Sequence, residues 1–141
     1  MAERLGEIFI RKKLITPEQL EKSLKLQVEN GKFLGEVLVE QGFSTEEDLL
    51  RVLAEQFNTR FVLLGNVMIN RDIMKLIPEE IVFEYKIMPI EMRNGVLLIA
   101  TSNPLDMWPL SVLQKKMNLT EVQIVLATKK DIEQTIRKHF P

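Results

Sequence analysis

The sequence predicts an α+β fold: tandem helical hairpins, four helices in all, over residues 1–58, then a small α/β subdomain with a three- to four-stranded sheet over residues 59–141. Three observations predict it. A 24-residue pattern occurs twice in the first half, apolar spacing within each copy is helical, and an Asn-Gly pair between two apolar runs marks a hairpin in the second half.

The repeat aligns Arg4–Gln27 with Phe33–Gln56 at an offset of 29 residues, without a gap. Eight of the 24 pairs are identical, among them Leu5/Leu34, Gly6/Gly35, Leu20/Leu49, Leu24/Leu53 and Gln27/Gln56. Leu5, Ile8 and Phe9 share one helix face, as do Leu34, Val37 and Leu38. Thr16-Pro17-Glu18-Gln19 reads as a capping box with proline at the first helical position. Ser44-Thr45-Glu46-Glu47 gives a similar start in the second copy. The stripes Leu20–Leu24–Val28 and Leu49–Leu53–Phe57 follow, and Leu20, Leu24, Leu49 and Leu53 are expected in the core. Asn30-Gly31 ends the second helix and Gly42 the third. Lys13 stands where Gly42 stands, so the first hairpin must turn differently or strain a lysine.

From about Phe61 the period changes. Arg71–Ile77 and Pro78–Tyr85 read as two short helices. Ile87–Met92 and Val96–Thr101 flank Asn94-Gly95 as strands. Leu105–Met117 reads as a helix with Pro109 in its first turn, Val122–Ala127 as a strand, and Lys129–His139 as a last helix capped by Thr128. Trp108 and Tyr85 are expected to fill a core or an interface.

Charge is balanced: residues 1–60 hold 9 basic and 11 acidic residues, and residues 61–141 hold 10 and 9. Neither half has the basic excess that holds a nucleic acid polymer. There is no cysteine, hence no thiolate metal site and no disulfide framework, in keeping with a reducing cytoplasm. No apolar run approaches the roughly 18 residues of a membrane span. No G-x-x-x-x-G-K-[ST] loop occurs to cradle phosphates, and no nucleophile–base or metal-ligand constellation does either. His139 reads as a helix C-terminal partner or plain surface. No catalytic residue and no metal site is expected, and the chain is read as a regulatory or docking module.

The two Leu-Gly starts, each followed by an apolar pair and a distant L…L..Q, resemble the MshE N-terminal type domain. That domain precedes the motor in ATPases of type II secretion and type IV pilus assembly. The second half is similar too, with its Pro-Glu helix start at Pro78-Glu79, its Asn-Gly hairpin and Ser102-Asn103-Pro104-Leu105-Asp106. The resemblance implies that the two repeats together bind cyclic di-GMP. Under it, Arg4 offers a planar fork to a guanine edge or a phosphate. Leu5-Gly6 and Leu34-Gly35 open helices whose first N–H groups favour an anion. Leu5, Phe9, Leu34 and Leu38 wall the bases, Gln27 and Gln56 hydrogen-bond a base edge, and Asp106 accepts from guanine. The second copy begins with Phe33, so one arginine per copy is excluded. Phe33 either stacks on a purine or packs as a hydrophobic staple. Plainer roles stand beside these: Gly6 and Gly35 as close helix contacts, the glutamines as caps, the apolar residues as core. The implied partners are a secretion or pilus ATPase motor, in cis or in trans, and an inner-membrane platform protein. The implied location is cytoplasmic, at the inner membrane through those partners. The competing function is a nucleotide-free docking domain that links such an ATPase to the platform.

Overall fold

The computed structural model describes residues 4–106 and 108–140. They form two compact units, the first running to Asn58 and the second starting at Thr59.

The first unit holds four helices: α1 (Leu5–Arg11), α2 (Pro17–Asn30), α3 (Leu34–Glu40) and α4 (Glu46–Gln56). The capping box at Thr16 is complete. Thr16 Oγ1 accepts from the Gln19 amide at 3.1 Å, and Gln19 Oε1 accepts from the Thr16 amide at 2.9 Å. Thr45 Oγ1 accepts from the Asp48 amide at 3.1 Å and starts α4. Gly31 closes α2 with φ 68°. The tips of the two hairpins have one geometry. Lys13 (φ 58°) and Gly42 (φ 76°) are both left-handed, so the lysine takes the strain. Each tip makes the same crossed pair of bonds, Lys13 N–H to Ile10 and Leu14 N–H to Phe9, repeated as Gly42 to Val39 and Phe43 to Leu38.

Ile8, Phe9, Ile15, Leu38 and Val52 make the core of this unit. Leu53 is buried, and Leu20 and Leu49 pack partly buried. Leu24 departs from expectation: it is 44% exposed, and Val28, next on the stripe, is 86% exposed. The buried face of α2 is rotated from the Leu20–Leu24–Val28 stripe: it is centred on fully buried Ser23, with Leu20, Leu26 and Gln27 half-buried around it. Leu24 and Val28 therefore fall on the side of α2 that meets solvent. Ser23, the counterpart of Val52, is buried with no hydrogen-bond partner for its hydroxyl among the described residues.

The second unit contains α5 (Glu79–Tyr85), β1 (Met88–Arg93), β2 (Val96–Thr101), α6 (Trp108–Lys116), β3 (Glu121–Leu126) and α7 (Lys129–His139). The sheet order is β1-β2-β3. β1 and β2 are antiparallel about Asn94 (φ 51°) and Gly95 (φ 79°), the paired positive φ values of a type I′ turn. β2 and β3 are parallel, as a helical crossover through α6 requires. The β1–β2 register slips between Pro89 and Glu91, and the carbonyl of Ile90 there accepts from Asn70 N–H at 3.1 Å. Residues 60–62 bridge the C-terminal end of the outer edge of β3: Val62 N–H donates to Leu126 and Leu126 N–H to Arg60, both at 2.8 Å. The core gathers Ile73, Ile81, Met88, Leu97, Ile99 and Ile132.

Three expectations shift here. Arg71–Lys75 is a 3-10 turn, started by Asn70 Oδ1 accepting from Asp72 N–H at 3.0 Å. α6 (Trp108–Lys116) does not include the expected Leu105, because Asn103–Asp106 form a turn in which Asp106 N–H donates to Asn103. Met107 lies outside the described residues. Trp108 is 66% exposed, not a core filler, whereas Tyr85 is half-buried. Thr128 caps α7 as expected, accepting from Asp131 N–H at 3.2 Å. Among the described residues, no helix is long and apolar enough to cross a membrane.

Candidate ligand-binding site

The repeat places two equivalent helix starts side by side. Arg4 is the N-cap of α1 and Phe33 the N-cap of α3, both extended (φ −76° and −68°), and neither side chain caps its helix. Both are exposed, Phe33 by 58%. As the N-cap itself, Phe33 is not placed one residue earlier, where a staple would sit. A methyl group built on Gly6 would lie 3.5 Å from Leu34 Cδ2, which brings the start of α3 against α1.

The glycines have a packing role. A Cβ on Gly6 would fall 2.9 Å from Leu20 Cδ1, and one on Gly35 would fall 2.7 Å from Leu49 Cδ1. Each hairpin thus seats its own leucine on its own glycine, and the identity of Leu20 with Leu49 at the repeat offset was the signal for this pairing. Leu5 and Leu34 are half-buried at the helix starts. Phe9 and Leu38 are not walls of an open site: both have no exposed surface. They sit one turn further along α1 and α3, on the face turned into the core.

Gln27 and Gln56 are half-buried near the C-terminal ends of α2 and α4. The Gln27 carbonyl accepts from Gly31 N–H at 2.8 Å. Lys32 precedes Phe33. Its Nζ donates to Glu40 Oε1 at 2.8 Å, and that bond and the Glu40 charge hold its pKa above the ordinary lysine value. Asp106 belongs to the second unit, is exposed, and accepts from Trp108 N–H at 3.2 Å, so its carboxylate starts α6. The resemblance assigned Asp106 to guanine; the contact it makes is this local cap. His139 Nδ1 lies 3.0 Å from the Thr135 carbonyl, a bond made by the Nδ1–H tautomer. No cluster of three His, Cys, Asp or Glu side chains fit for a metal ion occurs among the described residues.

The family model described as the MshEN domain matches residues 57–141, more than half of the sequence. The chain belongs to the MshEN domain family. This MshEN domain is a domain apart from an ATPase motor and is not itself an enzyme. Its helical repeat lies outside the range matched by the family model, but whole-chain relatives cover it. It is 28% identical over 140 residues to the type IV pilus assembly ATPase PilB of Myxococcus xanthus, covering 99% of this chain and 25% of that protein. It is 30% identical over 141 residues to PilB of Thermus thermophilus, covering 99% of this chain and 16% of that protein. The bacteriophage adsorption protein B of Escherichia coli K12 is 27% identical over 136 residues. The chain spans a quarter or less of the length of these curated relatives. Among solved structures, MshE with cdg superimposes with a TM-score of 0.86 at 26% identity, covering 98% of this chain and 99% of that one. The N-terminal domain of XpsE shares the fold, with a TM-score of 0.69 at 15% identity over 98% of each chain.

Proposed function

We propose that this MshEN domain is a cyclic di-GMP-binding regulatory domain of a type II secretion or type IV pilus assembly ATPase. The observation that carries the reading is the likeness, over nearly the whole chain, to a structure of MshE with cdg, the cyclic dinucleotide. The paired starts of α1 and α3 support it, with exposed Arg4 and Phe33 at their caps. In this reading Arg4 supplies the charged fork, Phe33 a ring face for one purine, and Leu5 and Leu34 the apolar edge. Gln27 and Gln56 supply amide groups, and Gly6 and Gly35 hold the two helix starts in place.

Titration calorimetry with cyclic di-GMP tests this, with GTP and cyclic di-AMP as controls. Arg4→Ala removes a charge-assisted contact. Its expected cost is about 1–3 kcal/mol, or roughly tenfold to a hundredfold in affinity. An absence of heat for the wild-type chain at high micromolar ligand rejects the receptor reading.

One observation favours the competing reading, a nucleotide-free docking domain between the ATPase and an inner-membrane platform protein. Phe33 puts an exposed aromatic ring where the first copy has arginine, a residue suited to a protein interface. That reading gains if calorimetry is silent and a platform protein binds the wild-type chain but not Phe33→Ala.

A further inference from the structure

The geometry points to a docking cleft on the second unit, between α5 and α7, that takes an acidic protein segment bearing one large apolar side chain. It does not rest on cyclic di-GMP binding. The cleft holds about 300 Å³ and is lined by Phe83, Lys86, Glu133, Ile136 and Arg137. Ile136, 3% exposed, is its buried floor, and Phe83 is its exposed apolar face. Phe83 is 44% exposed and meets Phe140 edge to face, centroids 6.1 Å apart at 71°. An exposed ring held by a second ring is a fixed apolar wall and loses little freedom on binding.

The charges select the partner. Lys86 Nζ donates to Glu133 Oε1 at 3.1 Å. The Glu133 carboxyl lies below its usual range, first through that bond, then through the charges of Lys86, Lys129 and Arg137. Lys86 and Arg137 line the cleft with the single carboxylate of Glu133, so with Lys86 paired to Glu133 the lining keeps one net positive charge, at Arg137. The acids of α5, Glu79, Glu80 and Glu84, are not among its lining residues. The cleft is open to solvent, so it suits one side chain of a longer segment better than a small molecule, which requires enclosure. A leucine or phenylalanine would enter against Phe83 and Ile136, with flanking Asp or Glu beside Arg137 and Lys86. A second copy of this chain would present the same basic cleft in a two-fold contact, and like charges oppose that.

The probe is a phage-displayed library of random peptides, selected on the intact chain and counter-selected on a Phe83→Ala/Arg137→Glu variant. The expected result is enrichment of sequences with a large apolar residue flanked by Asp or Glu. A synthetic peptide of the enriched sequence should bind about tenfold weaker or worse to each single variant, Phe83→Ala and Arg137→Glu. Lys115→Glu, on α6, should leave binding near wild type, and added salt should weaken it. Thermal melts near wild type show that the variants are folded. No enriched motif, a motif without acids, equal binding by Phe83→Ala, or occupation of the cleft by a second copy in sedimentation each overturns the proposal.

Discussion

Lys13 holds a backbone conformation that the second copy gives to Gly42, with the same two hydrogen bonds. A left-handed L-residue costs about 1–2 kcal/mol, and part of that relief is offset by the freedom glycine adds to the unfolded chain. Lys13→Gly is therefore expected to stabilise the protein by about 0.5–1 kcal/mol, read as a higher urea midpoint with an unchanged slope. Ser23 is a second residue at odds with its place. Its counterpart Val52 is in the core, and its own hydroxyl is buried without a partner among the described residues. Ser23→Ala removes that desolvated group and improves helix propensity, for an expected gain of about 1 kcal/mol. A loss on substitution would mean that the hydroxyl is hydrogen-bonded. The lysine conflict was legible in the sequence, because the repeat aligned Lys13 with glycine. The packing role of the two glycines was legible only as an alternative, since a sequence does not tell which atom a missing side chain leaves room for.

At the scale of elements, the contact of Gly35 with Leu49 makes two residues one unit. A Cβ at Gly35 would fall 2.7 Å from Leu49 Cδ1, so Gly35→Ala should destabilise despite the better helix propensity of alanine. Leu49→Ala should also destabilise, by leaving space. The double variant should be more stable than the sum of the two losses predicts, because the added methyl meets the vacated volume. A strictly additive cycle would remove the packing role assigned to this glycine. The rotated face of α2 gives a second contrast. Leu38→Ala, with no exposed surface, is expected to cost about 2–5 kcal/mol, while half-exposed Leu24→Ala should cost less than about 1 kcal/mol. Denaturation of the two variants side by side decides it. The apolar spacing on α2 pointed to Leu20, Leu24 and Val28, but the face that is covered carries Ser23 and Gln27. Spacing reports which residues share a face, and packing against the rest of the unit decides which face is buried. In α6 the apolar spacing ran on through Leu105, and the local bonds of Asn103 and Asp106 broke it.

For the whole molecule, element order was readable because caps, turns and apolar spacing are local signals. Pairing between strands was readable only at Asn94-Gly95, where the turn dictates it; the neighbour of β3 follows from chain connectivity and had no local signal. β2 is the central strand, and Leu97, Ile99 and Ala100 have no exposed surface. Its amides are expected to exchange with deuterium more slowly than those of β1, measured by mass spectrometry or NMR. Faster exchange in β2 than in β1 would contradict the sheet order. The two ladders also differ in time. Pairs between β1 and β2 close short loops, from Arg93 with Val96 out to Met88 with Ala100. Every β2–β3 pair joins more distant positions, from Val96 with Glu121 to Thr101 with Leu126, with α6 between them. The hairpin can zip outward from its turn within about 1–10 μs, whereas the parallel ladder must wait for the longer excursion to close. A nascent second unit would therefore display β2 half-paired, with an unfilled hydrogen-bonding edge, until β3 arrives. In that interval the strand that becomes the best protected is the one most open to a wrong partner.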